Sequence, residues 1–569
     1  MKSTRTRVLV AVVLLAAATV LVVAGAGLFG PISDGSSPPG TDGTDDRTDE
    51  PSTTDTVGYV EGYWHDDELP VDDRDDAALS EDELEAVVYR SMARVEEIRG
   101  LTFEEDVDVE VVSREEYRAE SDDLFVDVTD DERLQQNVNY EALFVVDRAT
   151  DAEDEFESLY GGAVDGYYDP GEEEVVLVSD SPDAPETDEI VLGHELLHAL
   201  QDQQFDLSQY DRETIDQSAA KNGLIEGDAV WVETEYERLC RAEWSCVRSE
   251  RSAAGSSDLN WGLYLIVYQP YADGPDYVEY LREQDDGWDA VNAAYDDPPA
   301  SSADVIRPSE DREPVDVDVP DRSSDDWEQL EVDGETATET VGEVGMVAMF
   351  AADAFDSDRS AVIEREAFVT DGVGYEYDQP QTDGWAGDRL VTYVSADVDP
   401  TNESAGAIDR TGYVWHSEWE TDEDAATFRD AYLELLAAHD AEAVDDRPNA
   451  FEIDDGYPGA YYVDRDDRSV TIVRAPSVDD LEGVDAVAAS DEHASVGLES
   501  DDGTGGVEGG STSEASAADA IGGGGSSADS VVVAGAVVAG TGVAIVVRRR
   551  AVSDVDSNRK TVDDATRER

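Results

Sequence analysis

Two histidines one helical turn apart, within a stretch of apolar residues, constrain this chain more than any other feature of its sequence. His194 and His198 stand at positions i and i+4, so on a helix their side chains share one face, about 6 Å apart. That separation allows both imidazoles to reach one tetrahedral zinc ion. Glu195 stands beside the first histidine, where its carboxylate can act on a water at the metal. With six histidines in the chain, composition alone would produce this pattern with a probability of roughly 0.5%.

The flanking residues predict that this helix, from about Thr187 to Phe205, is buried. Its apolar residues are Ile190, Val191, Leu192, Leu196, Leu197 and Leu200. A buried histidine pair requires a physical reason, because a buried polar group without a partner is costly. Metal binding is one such reason, and two core histidines with satisfied hydrogen bonds are the alternative.

A zinc site that acts on a substrate needs a third protein ligand and one open position. Glu226 lies on the next predicted helix, from about Thr214 to Leu239, and is the candidate. Ala220, Gly223 and Gly227 fall on the same side of that helix as the glutamate. Such small residues predict a close approach of the two helices, which would bring the carboxylate to the metal. The alternative is a surface acid in a very acidic chain.

Two aspartates are candidates for orienting a ligand histidine through a hydrogen bond. Asp202 follows His198 by four residues and therefore lies on the same helical face. Asp228, on the second helix, is the competing choice. For both residues the alternative is a solvated acid.

Hydrophobic segments at both ends predict a membrane-tethered chain. Basic residues precede an apolar run, Val8 to Phe29, which is typical of a signal peptide or a signal anchor. Val531 to Val547 is apolar and is followed by Arg548 to Arg550, which predicts a membrane helix with a cytoplasmic C-terminus. The bulk of the chain would then be extracellular, where Cys240 and Cys246 could pair; two free thiols near a helix end are the alternative.

Changes in composition divide the chain into seven predicted parts. The segments rich in Gly, Ser, Pro and Asp are linkers or stalks, and the folded regions lie between them. The parts are a signal segment (1–29), a linker (30–57), a first folded domain (58–310), a second α+β region (311–480), a low-complexity stalk (481–529), a membrane helix (530–547) and a cytoplasmic tail (548–569).

The charge of the chain predicts a protein adapted to very high salt. Asp and Glu total 139 against 38 Lys and Arg, a net charge of −101. Such a charge strains a compact fold through self-repulsion. In molar salt the Debye length falls to about 3 Å, which screens this repulsion. Nucleic acid is excluded as a partner, because no basic stripe lies outside the two termini.

Mixed elements along the chain predict an α+β fold. Ser80 and Glu83 form a capping box for a helix that continues through Ile98. Strands are predicted at Val107 to Val112, Leu143 to Val146 and Glu174 to Val178.

The run HELLHALQDQ, followed by GLIEGDA, resembles the gluzincin group of zinc metallopeptidases. It is most similar to uncharacterised haloarchaeal cell-surface proteins that carry these two runs, and the similarity extends over residues 85 to 475. Pro270 to Gly274 and Pro298 to Ser302 match later motifs of the same set. The resemblance implies a zincin-like domain with an active-site helix and a small sheet. It also implies zinc ligands at His194, His198 and Glu226 and a catalytic Glu195.

Two departures from the resembled pattern leave the group that stabilises the oxyanion unassigned. Val230 stands where thermolysin-like enzymes have an aspartate, and Arg307 replaces a histidine. Tyr271 and Arg307 are the candidates, with packing or a salt bridge as the alternative. In the resembled fold a strand such as Glu174 to Val178 forms the edge of the cleft, where an extended peptide would pair with it.

The second half of the chain carries weaker signals. Glu343 to Phe355 predicts an apolar helix. His416 is either an active-site partner or, as we favour, a histidine at the end of a strand. Asn402 begins a glycosylation sequon on a predicted loop.

Together these features predict a membrane-tethered, extracellular zinc peptidase that acts on peptides or proteins. One alternative is a catalytically inactive surface or envelope protein that keeps the zinc fold for structure or adhesion. A second is a hydrolase of non-peptide amides or esters, since the zinc chemistry is shared.

Overall fold

The computed structural model describes residues 51–489, apart from 75–76, 118–127, 161–163, 250–258, 285–286, 311, 313, 356–358, 371–373, 397–403 and 446. Both predicted terminal hydrophobic segments and the cytoplasmic tail lie outside these residues. None of the helices within the described ranges combines the length and the apolar character that a membrane crossing requires. Residues 481–489, predicted as the beginning of the stalk, instead form helical turns whose Leu481 and Val484 are fully buried.

The described chain is a mixed α+β structure, as the sequence predicts. The helices are α1 (Glu81–Arg99), α2 (Asp130–Ala142), α3 (Ala152–Tyr160), α4 (Glu189–Phe205), α5 (Ile215–Ala242), α6 (Trp261–Arg282), α7 (Trp288–Asp296), α8 (Ser302–Ile306), α9 (Gly342–Ala351), α10 (Arg365–Phe368), α11 (Ser404–Ala407), α12 (Asp422–Ala438) and α13 (Leu481–Val484). The strands are β1 (Tyr59–Val60), β2 (Tyr63–Trp64), β3 (Asp108–Ser113), β4 (Gly166–Asp169), β5 (Glu174–Ser179), β6 (Trp327–Gln329), β7 (Glu331–Val332), β8 (Glu335–Thr336), β9 (Thr338–Glu339), β10 (Val369–Thr370), β11 (Gly374–Tyr375), β12 (Trp385–Ser395), β13 (Thr411–Trp419), β14 (Glu442–Ala443), β15 (Ala450–Ile453), β16 (Gly459–Asp466) and β17 (Ser469–Ala475).

Capping residues fix where the predicted helices begin. Ser80 caps α1 with the expected capping box to Glu83, and the left-handed Gly100 ends the helix. Asp188 caps α4 by accepting a hydrogen bond from the backbone N–H of Ile190. Thr214 caps α5 in the same way. The three long helices predicted from the sequence are therefore present, with ends that differ by no more than a few residues.

A three-stranded sheet in the order β3-β5-β4 lies beside α4. Strand β5 pairs in parallel with β3 and antiparallel with β4, so both of its edges are hydrogen-bonded. The expectation that Glu174 to Val178 forms the cleft edge is therefore wrong, because this strand has no free edge for a peptide. The edge strand that contacts α4 is β4.

The strand predicted at Leu143 to Val146 is also absent. These residues form a buried turn after α2, in which Phe144 has a positive φ of 55°. The Phe144 ring packs against Tyr432, His439 and Tyr457 of the C-terminal half. A short apolar run predicts burial, but it does not distinguish a strand from a buried loop.

An eight-stranded sheet forms the C-terminal half, in the order β14-β15-β16-β17-β13-β12-β6, with β9 paired to β12. Helix α12 packs on this sheet, and the wholly buried α9 packs against α5 and α6. One cluster of buried side chains includes Leu196 of α4, Val344 of α9 and Trp415 of β13. The two predicted folded regions, 58–310 and 311–480, thus share a hydrophobic core.

Candidate metal centre

Three side chains from α4 and α5 converge on one point inside the protein. His194 and His198 are 1% exposed and Glu226 is fully buried. The Nε2 atoms of the two histidines are 3.1 Å apart, and Glu226 Oε2 lies 3.4 Å from each of them. The three residues predicted as zinc ligands are therefore brought together. Among the described residues, they form the one group of three side chains whose ligand atoms are close enough to hold a metal ion.

The distances between these atoms match the edges of a small coordination tetrahedron. Ligands about 2.0–2.1 Å from a zinc ion in tetrahedral geometry lie about 3.3 Å from one another. The three observed separations are close to this value. The three atoms are therefore already placed as ligands of a single ion would be.

The opposite nitrogens of the two imidazoles each face a hydrogen-bond acceptor. His194 Nδ1 is 2.9 Å from Glu233 Oε2, and His198 Nδ1 is 2.8 Å from Gln201 Oε1. The amide of Gln201 donates in turn to the carbonyl of Ile225, which leaves its oxygen free to accept. In its neutral form each imidazole can therefore donate from Nδ1 and present the lone pair of Nε2 to the centre.

Two nitrogen lone pairs and a carboxylate therefore face one another in a buried space. These groups repel one another unless a cation lies between them. Burial lowers the pKa of His194, but its contacts with Glu226 and Glu233 outweigh burial and raise that pKa well above its usual value. The centre accordingly favours a bound positive charge, and its nitrogen and oxygen donors fit a divalent zinc ion.

Glu195 lies beside this centre and is fully buried. No side chain among the described residues donates a hydrogen bond to its carboxylate oxygens, and the backbone N–H of Tyr168 in β4 is the donor that lies close to them. Burial raises its pKa to about 8; His194 opposes this rise, and the charges of Glu226 and Glu233 add to it. A dication nearby would favour the carboxylate form again. A carboxyl group that no side chain engages, and whose pKa lies close to neutral pH, can exchange a proton with a water or a substrate.

The structure corrects both predictions about the residues that orient the histidines. Asp202 accepts hydrogen bonds from the Tyr168 hydroxyl and the Leu207 backbone N–H, each at 2.9 Å, and not from His198. Asp228 accepts hydrogen bonds from Arg99 and from the Tyr295 hydroxyl. Each aspartate therefore accepts hydrogen bonds from neighbouring groups other than the two histidines.

Gln201 and Glu233 take the places that the sequence reasoning assigned to the aspartates. Gln201 follows His198 by three residues, and Glu233 follows Glu226 by seven, so both spacings return to the ligand face of their helices. The spacing was therefore visible in the sequence. An expectation based only on acids four residues after a ligand misses Gln201 and Glu233, because their spacings are three and seven residues.

The glycines of α5 face a different helix from the one predicted. A Cβ added to Gly227 would lie 2.3 Å from the carbonyl oxygen of Gly274 in α6, and one on Gly223 would lie 2.7 Å from Val305. These glycines therefore allow α5 to approach α6 and α8, and not the metal helix α4. Against α4 the close contact is made by Gly193, whose added Cβ would lie 3.0 Å from the Tyr236 ring.

A buried glutamate fixes the beginning of the metal helix. Glu189 is fully buried and accepts hydrogen bonds from Arg90, Arg94, the Tyr236 hydroxyl and the Val247 backbone N–H. A carboxylate in the first turn also interacts favourably with the helix dipole. This network joins α1, α4 and α5 one turn before His194.

The loop after α5 is closed by a disulfide between Cys240 and Cys246, whose Cα atoms are 5.7 Å apart. Of the two alternatives left by the sequence, the structure has the disulfide. Arg94 donates to the carbonyl of Ser245 at 3.1 Å, so the loop contacts the same network.

The two candidates for oxyanion stabilisation have other contacts. Arg307 forms ion pairs with the buried Glu343 and, at 2.7 Å, with Asp378. Tyr271 is 4% exposed, and its ring packs against Tyr268 within α6. Arg307 therefore forms salt bridges and Tyr271 packs within α6, as the alternative interpretation of these two residues has it.

His416 lies in β13, where its Nδ1 is 2.7 Å from the Thr471 hydroxyl and its Nε2 is 3.2 Å from Glu418. It is a strand residue with satisfied hydrogen bonds, as the favoured interpretation has it. Asn402, the predicted glycosylation site, lies outside the described residues.

Comparison with known proteins finds one similarity. A family model, described as a domain of unknown function (DUF8575), matches residues 328–485. The match covers the eight-stranded sheet with α12 and does not include α4 and α5, which carry the two histidines and Glu226. No curated protein and no solved structure matches this chain.

Proposed function

We propose that this protein is a zinc-dependent peptidase with a zincin-like domain, tethered to the cell membrane through its C-terminal segment and exposed outside the cell. The observation that carries the proposal is the metal centre. The two histidine Nε2 atoms and the Glu226 carboxylate face one point, and the buried carboxyl group of Glu195, which no described side chain engages, lies beside it. Location and tethering rest on the hydrophobic segments of the sequence.

His194, His198 and Glu226 would hold the ion. When bound there, zinc would polarise the substrate carbonyl and acidify water. Glu195 takes a proton from the attacking water as the oxygen bonds to the carbonyl carbon. It then passes that proton to the departing amine nitrogen as the C–N bond breaks. Glu233 and Gln201 keep the two imidazoles in the tautomer that presents Nε2 to the ion.

The second candidate function is a surface protein that keeps the ion for structure alone. The burial of the centre favours it, because the two histidines, Glu195 and Glu226 are each no more than 1% exposed. A structural ion would stabilise the fold without any need for substrate access.

The zinc content of the full-length chain in molar salt tests the metal centre. We expect one zinc ion per chain in the wild type and its loss in His198→Ala. His416→Ala is the matched control, because this histidine lies in the C-terminal sheet and should leave the zinc content unchanged. Absence of zinc from the wild type would refute the metal centre.

Glu195→Gln then separates the two candidates. A peptidase should keep its zinc in this variant and lose cleavage of a peptide mixture by several orders of magnitude. Full cleavage by the variant would refute the role of Glu195. A wild type that binds zinc, cleaves no peptide and unfolds more readily after chelation would support the structural candidate.

A further inference from the structure

A partly buried arginine between α4 and α5 lacks a hydrogen-bond or ion-pair partner among the described residues. Arg212 lies in the segment between α4 and α5, two residues before the cap of α5. Its Nε and Nη2 atoms are buried. Within the described part of the chain no group forms a hydrogen bond or an ion pair with its guanidinium.

The fully buried arginines of this region, in contrast, are paired with carboxylates. Arg90 and Arg94 bind Glu189 at 2.8 and 2.6 Å, and Arg99 binds Asp228 at 3.0 Å. A buried guanidinium nitrogen without an acceptor is unfavourable. Since no described residue supplies an acceptor to the buried Nε and Nη2 of Arg212, these atoms can serve an anion from outside the protein.

The Arg212 guanidinium lies within electrostatic range of the candidate metal centre. It interacts over longer range with Glu226, a proposed metal ligand, and with Asp202, one turn beyond His198. Neither carboxylate serves as its partner, since Glu226 faces the two histidines and Asp202 accepts hydrogen bonds from Tyr168 and Leu207.

We propose that Arg212 binds a carboxylate group of the substrate close to the bond that is cleaved. The planar guanidinium can bind both oxygens of a carboxylate, which suits this group better than a single neutral acceptor. The carboxylate could be the free C-terminus of a peptide or the side chain of an acidic residue. This inference rests on the proposed function, since it names the substrate class of the same site.

Binding of small metal-directed probes tests the inference without any need for catalysis. The probes are hydroxamates, which chelate zinc, linked through alkyl chains of increasing length to a carboxylate or to its methyl ester. A charged hydrogen bond contributes about 1.5–3 kcal/mol. At the best chain length the acid should therefore bind the zinc-loaded full-length chain roughly 10-fold to 100-fold more tightly than its ester.

Three variants assign the preference to one residue. Arg212→Met should abolish the difference between acid and ester, and Arg212→Lys should restore part of it. Arg238→Met removes an exposed arginine of α5 that pairs with Glu235, and it should leave the difference unchanged. Equal binding of acid and ester by the wild type would overturn the inference, with no need for a variant that folds. Retention of the preference in Arg212→Met would overturn it as well.

Peptides then identify the source of the carboxylate. Peptides with a free C-terminus are compared with their C-terminal amides, and internal glutamate is compared with glutamine. A preference for the free terminus or for internal glutamate supports the corresponding source. Cleavage without either preference overturns the inference and leaves the peptidase standing. Preferential binding of the acid probes without cleavage of any peptide overturns the peptidase and supports the carboxylate site.

Discussion

Removal of the Glu233 carboxylate should weaken zinc binding although this residue is not a ligand. Its Oε2 is 2.9 Å from His194 Nδ1, and its side chain is 15% exposed. The carboxylate holds the tautomer that presents Nε2 to the ion, and its charge makes the imidazole a stronger donor. Glu233→Ala removes both effects, whereas Glu233→Gln keeps an acceptor and removes only the charge.

The magnitude follows from comparable contacts in metal sites. Loss of a group that orients a ligand histidine costs about 10-fold to 100-fold in metal affinity. The low exposure of the pair favours the upper part of this range, since solvent screens the contact only weakly. The expected order of affinity is wild type, then Glu233→Gln, then Glu233→Ala.

Competition with a chelator of known zinc affinity measures the effect. Glu235→Ala is the matched control, because Glu235 is two residues away on the same helix and pairs with Arg238 at the surface. Its affinity should equal that of the wild type. Wild-type affinity in Glu233→Ala would refute the orienting role, and equal losses in both variants would point to a general effect of charge.

Two further predictions concern stability. Gly227→Ala should destabilise the protein by at least about 1–3 kcal/mol, because the new Cβ would lie 2.3 Å from the backbone oxygen of Gly274. Gly406→Ala is the control, because the space around its added Cβ is open, and it should leave the thermal midpoint unchanged. Burial raises the pKa of Asp216 to about 7, and the negative charge of Asp388 contributes to this rise. Hydrogen bonds from the Ser302 hydroxyl and the Ser302 backbone N–H lower the pKa but do not cancel the effect of burial. Since the folded-state pKa lies above the unfolded one, stability should fall as pH rises from about 4 through about 7, by at most roughly 4 kcal/mol. Thermal unfolding across this range should show a flatter profile for Asp216→Asn, and an unchanged slope would contradict the assignment.

Local signals of the sequence predicted the three long helices and the convergence of His194, His198 and Glu226. The i, i+4 spacing places His194 and His198 on one face of any helix, whatever surrounds it. The capping box of Ser80 and the cap at Thr214 depend only on neighbouring residues, and both are present. Glu226 needed one further assumption, that the next helix returns alongside α4, and the structure has that arrangement.

The features that the sequence analysis missed depend on which elements are neighbours. The apolar composition of β5 fits a buried strand either at the edge or at the centre of a sheet. Its pairing with both β3 and β4 shows that it lies at the centre. The glycines of α5 indicate a close helix contact but do not identify the partner, which is α6. The sequence analysis named Asp202 instead of Gln201 as the partner of His198 for the same reason. Asp202 accepts a hydrogen bond from the Tyr168 hydroxyl, and this neighbour was not predictable from the sequence.

The distribution of charge connects the fold to the salt adaptation that the sequence predicts. Six arginines are buried among the described residues, namely Arg90, Arg94, Arg99, Arg148, Arg307 and Arg474. Each lies within ion-pair distance of a carboxylate. Molar salt screens repulsion between exposed acids, but it screens such interior pairs far less. High salt can therefore stabilise the acidic surface while the contacts that hold α1 against α4 and α5 keep their strength. Arg212 differs from these six, because it is partly exposed and no described carboxylate pairs with its buried Nε and Nη2 atoms, which leaves them to an anionic group of a substrate.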